Sequence, residues 1–195
     1  MLETISRKIT EHLIRRKIIQ PQEYNLYVYS VNSLLGNLLN IVTPLVLGAC
    51  LRRELLAVVL LIVLIPLRSM IGGFHLQSAL LCFIISNLIA AGCMLLPDLV
   101  VLPWKVSLAV VIAVGILIGI TAPVDCINKP MTMEEKQKMK PRIWIWLMAV
   151  MVITGASAWC GQVKVYNEVV WIVCYAYATL LMELVNKRIK RESRK

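Results

Sequence analysis

The chain is short of charge and of aromatic side chains: Asp, Glu, Lys and Arg make up 16% of its 195 residues, and Phe, Trp and Tyr 7%. A soluble domain carries roughly a quarter charged residues, so an ordinary water-solvated surface is excluded. Histidine is equally scarce. His12 and His75 are the only two, and no H-E-x-x-H occurs, so a catalytic zinc site is not expected and no metal or cofactor is implied. Six cysteines are scattered through or beside apolar segments without any C-x-x-C, which argues against a disulfide framework or a structural zinc site. A cleavable signal peptide is not expected either. The first apolar run begins only near Tyr24 and runs far past the length of a signal h-region.

What the chain has in abundance is apolar surface, at 59% of residues. This composition predicts an all-α polytopic membrane protein folded as one membrane-embedded domain over 1–195, with lipid as its solvent. The net charge of +10 is concentrated at the two ends and in one inter-helix segment. That distribution fits membrane orientation better than nucleic-acid binding, so no nucleic-acid partner is expected.

In residues 1–20, Leu2, Ile5, Ile9 and Leu13 recur at three- and four-residue steps with basic residues elsewhere on the wheel. The pattern predicts an amphipathic helix lying in the membrane interface, with His12 on its solvated side. About six transmembrane helices are then expected, at 24–50, 55–71, 75–96, 104–122, 143–161 and 168–185, since a hydrocarbon core of about 30 Å takes ~20 helical residues. A polar cytoplasmic loop at 123–142 and a basic tail at 186–195 complete the reading. Six crossings with a cytoplasmic N-terminus put both termini and most basic residues inside, where the positive-inside rule wants them; the Arg52-Arg53 pair falls outside. The same count puts Arg68 to His75 at the cytoplasmic edge.

Three features in the spans carry candidate chemistry. Ser33, Gly36, Asn37 and Asn40 form one polar, small face on the first span, expected to point into the bundle either for helix packing or as the lining of a peptide cavity. Gly115-x-x-x-Gly119 predicts close helix approach, more naturally between neighbouring helices than between protomers. The third is the run from Arg68 to Cys82, where an arginine, the pair Gly72-Gly73, His75 and a cysteine fall together in apolar surroundings. Ionisable groups are expensive there, so they mark a functional site by default.

A buried thiol stays inert unless a base or a cation stands beside it. Cys82 lies within about 20° of the helical face of His75, yet about 10 Å along the axis if the helix is straight, too far for direct proton transfer. Gly72-Gly73 allows the chain to bend back, and Ser78, between the two, or a water offers a relay. Spacing alone leaves two readings: a catalytic dyad, or a small apolar cysteine near an interfacial histidine. Arg68 would favour the thiolate, hold a substrate carboxylate or snorkel to the interface.

The run Arg68-x-x-x-Gly72-Gly73-x-His75 with Cys82 resembles the signature of the AgrB family, accessory gene regulator B, membrane peptidases of Gram-positive quorum sensing. Ala122-Pro-Val-Asp125-Cys-Ile-Asn-Lys129-Pro130 is similar to the family's A-P-x-D…K-P segment, and the likeness covers essentially the whole chain. The resemblance implies a cysteine endopeptidase of the cell membrane, with Cys82 as nucleophile, His75 as base, and Arg68 and Gly73 in support. Its substrate would be an AgrD-type precursor peptide, whose C-terminal tail is removed through an acyl-enzyme thioester on the way to a thiolactone. A homodimer is expected from the family. Asp125, Lys129, Asn37 and Asn40 are candidates for orienting His75 or contacting substrate. The competing readings are a peptide exporter, suggested by the polar face and the Gly/Pro-interrupted helices, and a non-catalytic membrane scaffold.

Overall fold

The computed structural model describes residues 2–71, 79–124 and 132–192, and every described regular element is helical. Seven α-helices follow in order: α1 (Leu2–Arg15), α2 (Tyr24–Cys50), α3 (Glu54–Ile71), α4 (Ala79–Leu99), α5 (Trp104–Thr121), α6 (Met133–Trp159) and α7 (Val163–Glu192). α2 to α7 provide six helices long and apolar enough to cross a membrane. The chain divides into two compact units, Met1–Val46 and Leu47–Lys195.

In the first unit, α1 carries Glu3 in its first turn and His12 and Arg15 in its last, the order that suits the helix dipole. Its Arg7 Nη2 donates to Glu3 Oε1 at 2.7 Å. The polar side is the enclosed one: Ser6 and Thr10 are fully buried, Thr10 Oγ1 donates to Ser6 O, and Ser6 Oγ donates to Asn32 Oδ1 at 3.5 Å. Ile5 and Ile9 stay exposed, as the apolar face of an interfacial helix requires. Within this unit α1 is the neighbouring helix, and Ser33, Asn37 and Asn40 on α2 lie away from it, exposed.

The second unit is organised around α7, which packs against α3, α4, α5 and α6. Its Val169, Val170, Ile172, Val173, Ala176 and Leu180 are buried, and α3 answers with Leu56, Leu60, Val63, Leu67 and Ile71 at steps of three and four. That spacing keeps one stripe facing the neighbours. The Gly115/Gly119 pair works within the chain, between α5 and α6. A Cβ at Gly119 would stand 2.6 Å from the Trp144 ring, whereas one at Gly115 would meet Met151 and Leu147 at ordinary contact distance.

Several boundaries differ from those expected from hydropathy. The segment 123–142 is not loop throughout, for α6 begins at Met133 on a capping box in which Glu135 N donates to Thr132 Oγ1 and Thr132 N donates to Glu135 Oε2. Two of the first four amide groups are thereby satisfied reciprocally, which lets a charged first turn form in water. Pro141 lies inside this helix, as Pro97 lies inside α4, which runs on to Leu99. α7 starts at Val163 and continues through most of the basic tail to Glu192. Hydropathy detects the apolar middle of each helix and not its solvated ends.

Candidate active site

Arg68 sits in the last turn of α3, half-buried, one turn before the helix ends at Ile71. Its Nη1 donates to the Tyr175 hydroxyl of α7 at 3.3 Å, and its guanidinium carbon lies 5.7 Å from the centre of the Tyr175 ring. A guanidinium at this depth thus gains an acceptor oxygen and the negative face of a π-system together, which offsets its lost hydration. The same hydroxyl has Cys82 and Cys93 within electrostatic range. Cys82, in the first turn of α4, is half-buried, while Cys93, further along that helix, is 3% exposed. Tyr175 therefore ties Arg68 of α3 to α7, with the α4 thiols within electrostatic reach of its hydroxyl.

His75, Gly72, Gly73 and Ser78 lie outside the described residues, as do Asp125 and Lys129. The backbone on either side of them is described. Val124 N donates to Ile71 O at 3.0 Å, so the end of α3 and the segment after α5 leave the bundle side by side, each leading into one of the two sequence motifs. The described cysteines Cys50, Cys82, Cys93, Cys160 and Cys174 are all free, and no metal-binding cluster occurs among the described residues.

Four features escaped the reading of the sequence. Tyr175 carried no signal in one chain, because its role depends on a residue 107 positions away. Glu168 and Glu183 did carry one, as acids within an apolar helix. Both are buried; neither carboxylate oxygen of Glu168 has a hydrogen-bond partner, nor has Oε1 of Glu183, among the described residues. The partners of Arg53 are the third. Arg53 donates to Asp98 and to Met94 O, while Lys164 reaches the other Asp98 oxygen at 2.9 Å, so one carboxylate of α4 serves two cations. Finally, Asn167 accepts from Leu102 N at 2.9 Å and donates to Val163 O, tying the α4–α5 connection to the first turn of α7.

Six apolar helices, with two acids buried among them and a half-buried arginine at the end of α3, define a multi-pass helical membrane protein. The family model for accessory gene regulator B matches residues 6–185, and the chain belongs to that family. It is 27% identical over 148 residues to AgrB-like protein 2 of Clostridium perfringens (strain 13 / Type A), an alignment covering 71% of this chain and 68% of that one. It is 25% identical, over the same shares, to an AgrB-like protein of Clostridium perfringens (strain SM101 / Type A). No solved structure is a significant match. Membership places the chain in accessory gene regulator quorum sensing, in the processing of its signalling peptide.

Proposed function

We propose that the chain is a cysteine endopeptidase that removes the C-terminal tail of an AgrD-type precursor peptide, with Cys82 as nucleophile and His75 as base. The observation that carries this reading is the shared neighbourhood of Cys82 and the Arg68–Tyr175 pair. A thiol in apolar surroundings needs a nearby positive charge or base to become nucleophilic.

In the reaction, His75 takes the Cys82 proton and the sulfur attacks the carbonyl carbon preceding the tail. The C–N bond breaks, the imidazolium returns its proton to the departing amine, and an acyl thioester remains on Cys82. A cysteine thiol of the precursor then attacks that thioester, forming the thiolactone and restoring the Cys82 thiol. Exchanging one thioester for another conserves bond energy, while hydrolysis loses it, so a site that restricts water favours ring closure. Arg68 stabilises the thiolate or pairs with a substrate carboxylate, Gly72 and Gly73 allow the chain before His75 to bend back, and Ser78 or a water offers a relay between His75 and Cys82. Asn37, Asn40, Asp125 and Lys129 remain the candidates for contacting substrate or orienting the base.

The same reading places both termini and the active site on the cytoplasmic side of the cell membrane, with the chain acting as a homodimer. Arg53, which the same count puts on the outer side, shares Asp98 with Lys164, which moderates the charge there.

The test is reconstitution of the chain in vesicles with a cognate precursor and detection of the freed tail. Cys82→Ala abolishes release, whereas Cys93→Ala retains it. Equal release by both variants refutes the assignment, and transport of intact peptide by Cys82→Ala vesicles establishes an exporter instead.

A further inference from the structure

Where α5 ends, the start of α6 and the last turns of α7 enclose a cavity of about 580 Å³. Among the described residues that line it, three are cationic, Lys136 from α6 and Lys187 and Arg188 from α7, and none is acidic. The rest of the wall is largely apolar, with Val124, Leu184 and Val185 contributing. Such a volume is in the range of small-molecule sites. Its chemistry is amphiphilic: one side concentrates positive potential, the other favours hydrocarbon.

The position decides between possible occupants. Thr121 closes one apolar span and Leu184 to Arg188 lie in the last turns of another, so the cavity lies at the depth where a bilayer changes from hydrocarbon to headgroup. Beside it the helix surfaces are uncovered and apolar: Leu181, Val185 and Ile189 on α7 and Leu117 and Ile120 on α5 are all exposed. A soluble anion would gain from the three cations and nothing from these surfaces. An acyl chain uses both.

We propose that this cavity is a binding site for an anionic glycerophospholipid, with its phosphate among Lys136, Lys187 and Arg188 and an acyl chain along Val185 and Leu181. Basic pockets between membrane helices at the headgroup level take such lipids for the same electrostatic reason. The cavity adjoins the segment that leads to Asp125 and Lys129, and lipid retention is read without any peptidase activity, so the proposal stands or falls independently of that chemistry.

The experiment is native mass spectrometry of the full chain, released from detergent or nanodiscs containing equal phosphatidylglycerol and phosphatidylcholine. The wild-type chain retains phosphatidylglycerol in preference. With each cation near the headgroups contributing about 1 kcal/mol, Arg188→Gln lowers that preference roughly fivefold, and Lys136→Gln/Lys187→Gln/Arg188→Gln on the order of a hundredfold. Lys105→Gln, at the other end of α5, leaves it unchanged. Circular dichroism checks the helix content of each variant; should the triple variant unfold, the surface change Arg188→Gln decides. Equal retention of the two lipids by the wild type overturns the proposal. So does an equal effect of Lys105→Gln, or displacement of phosphatidylglycerol by inorganic phosphate or by an oligoglutamate peptide, which would mark a site for soluble anions.

Discussion

The Arg68 guanidinium donates to the Tyr175 hydroxyl at 3.3 Å and lies 5.7 Å from the centre of the same ring, joining the end of α3 to the middle of α7. The pair holds a permanent cation at membrane depth on the side of the bundle where Cys82 enters α4. Its two components, a hydrogen bond and a ring contact, separate by mutation.

Tyr175→Phe keeps the ring and removes the oxygen. One hydrogen bond to a charged donor is worth about 1.5–3 kcal/mol. If Arg68 acts on the Cys82 thiolate in the transition state, release of the precursor tail falls about tenfold or more. Tyr175→Ala loses both contacts and falls further. A rate unchanged by Tyr175→Phe, measured in the same vesicles, assigns the pair a purely structural role.

Gly119 and Gly115 separate in the opposite sense to their symmetry in the motif. Gly119→Ala drives a methyl group into the Trp144 ring and costs about 1–3 kcal/mol in thermal unfolding in detergent. Gly115→Ala meets Met151 and Leu147 at ordinary contact distance and changes stability by less than about 1 kcal/mol. Gly119→Ala/Trp144→Ala restores much of the loss, because the colliding ring is gone.

Asn167 has donor and acceptor both engaged on the backbone of the α4–α5 connection and on α7. Asn167→Leu leaves Leu102 N without its acceptor, and an unmade buried hydrogen bond costs about 1–3 kcal/mol. Hydrogen exchange at Leu102 speeds up in that variant before global unfolding. An unchanged exchange rate there would show that the amide has another partner.

Replacing the buried carboxyl of Glu168 stabilises the fold. Its side chain is fully buried and both carboxylate oxygens lack hydrogen-bond partners among the described residues, with Arg53 the cation whose charge reaches it. A buried acid without direct partners costs more in desolvation than it recovers. Glu168→Gln or Glu168→Met therefore raises the unfolding temperature in detergent, and a lowered one identifies a role that repays the cost. Because the residue lies far along α7 from Arg188, lipid retention stays the same.

Thr132→Ala removes one half of the capping box that starts α6 and costs about 1 kcal/mol. The first turns of α6 fray, which hydrogen exchange from Met133 onward reports.

Much of the architecture was legible in the chain because the bilayer imposes a simple rule: an apolar run of sufficient length must become a helix to satisfy its own backbone. Six spans, an amphipathic first helix and the close approach at Gly115/Gly119 follow from that rule and from residue size. Boundaries were less legible. The charged opening of α6 read as loop because it is polar, although the Thr132–Glu135 capping signal stood in the sequence to be used.

By itself, then, the order of residues determined the class of protein, the number of spans and the two motifs carrying Arg68, Cys82 and their neighbours, since these depend on hydropathy and short-range spacing. Only the tertiary structure decided that Tyr175 anchors Arg68, that Asp98 neutralises Arg53 together with Lys164, and that α7 buries Glu168 and Glu183. Each of those relationships joins residues far apart in the sequence. Nothing local to either partner specifies the other, and the contact exists only once apolar packing has set the helices side by side.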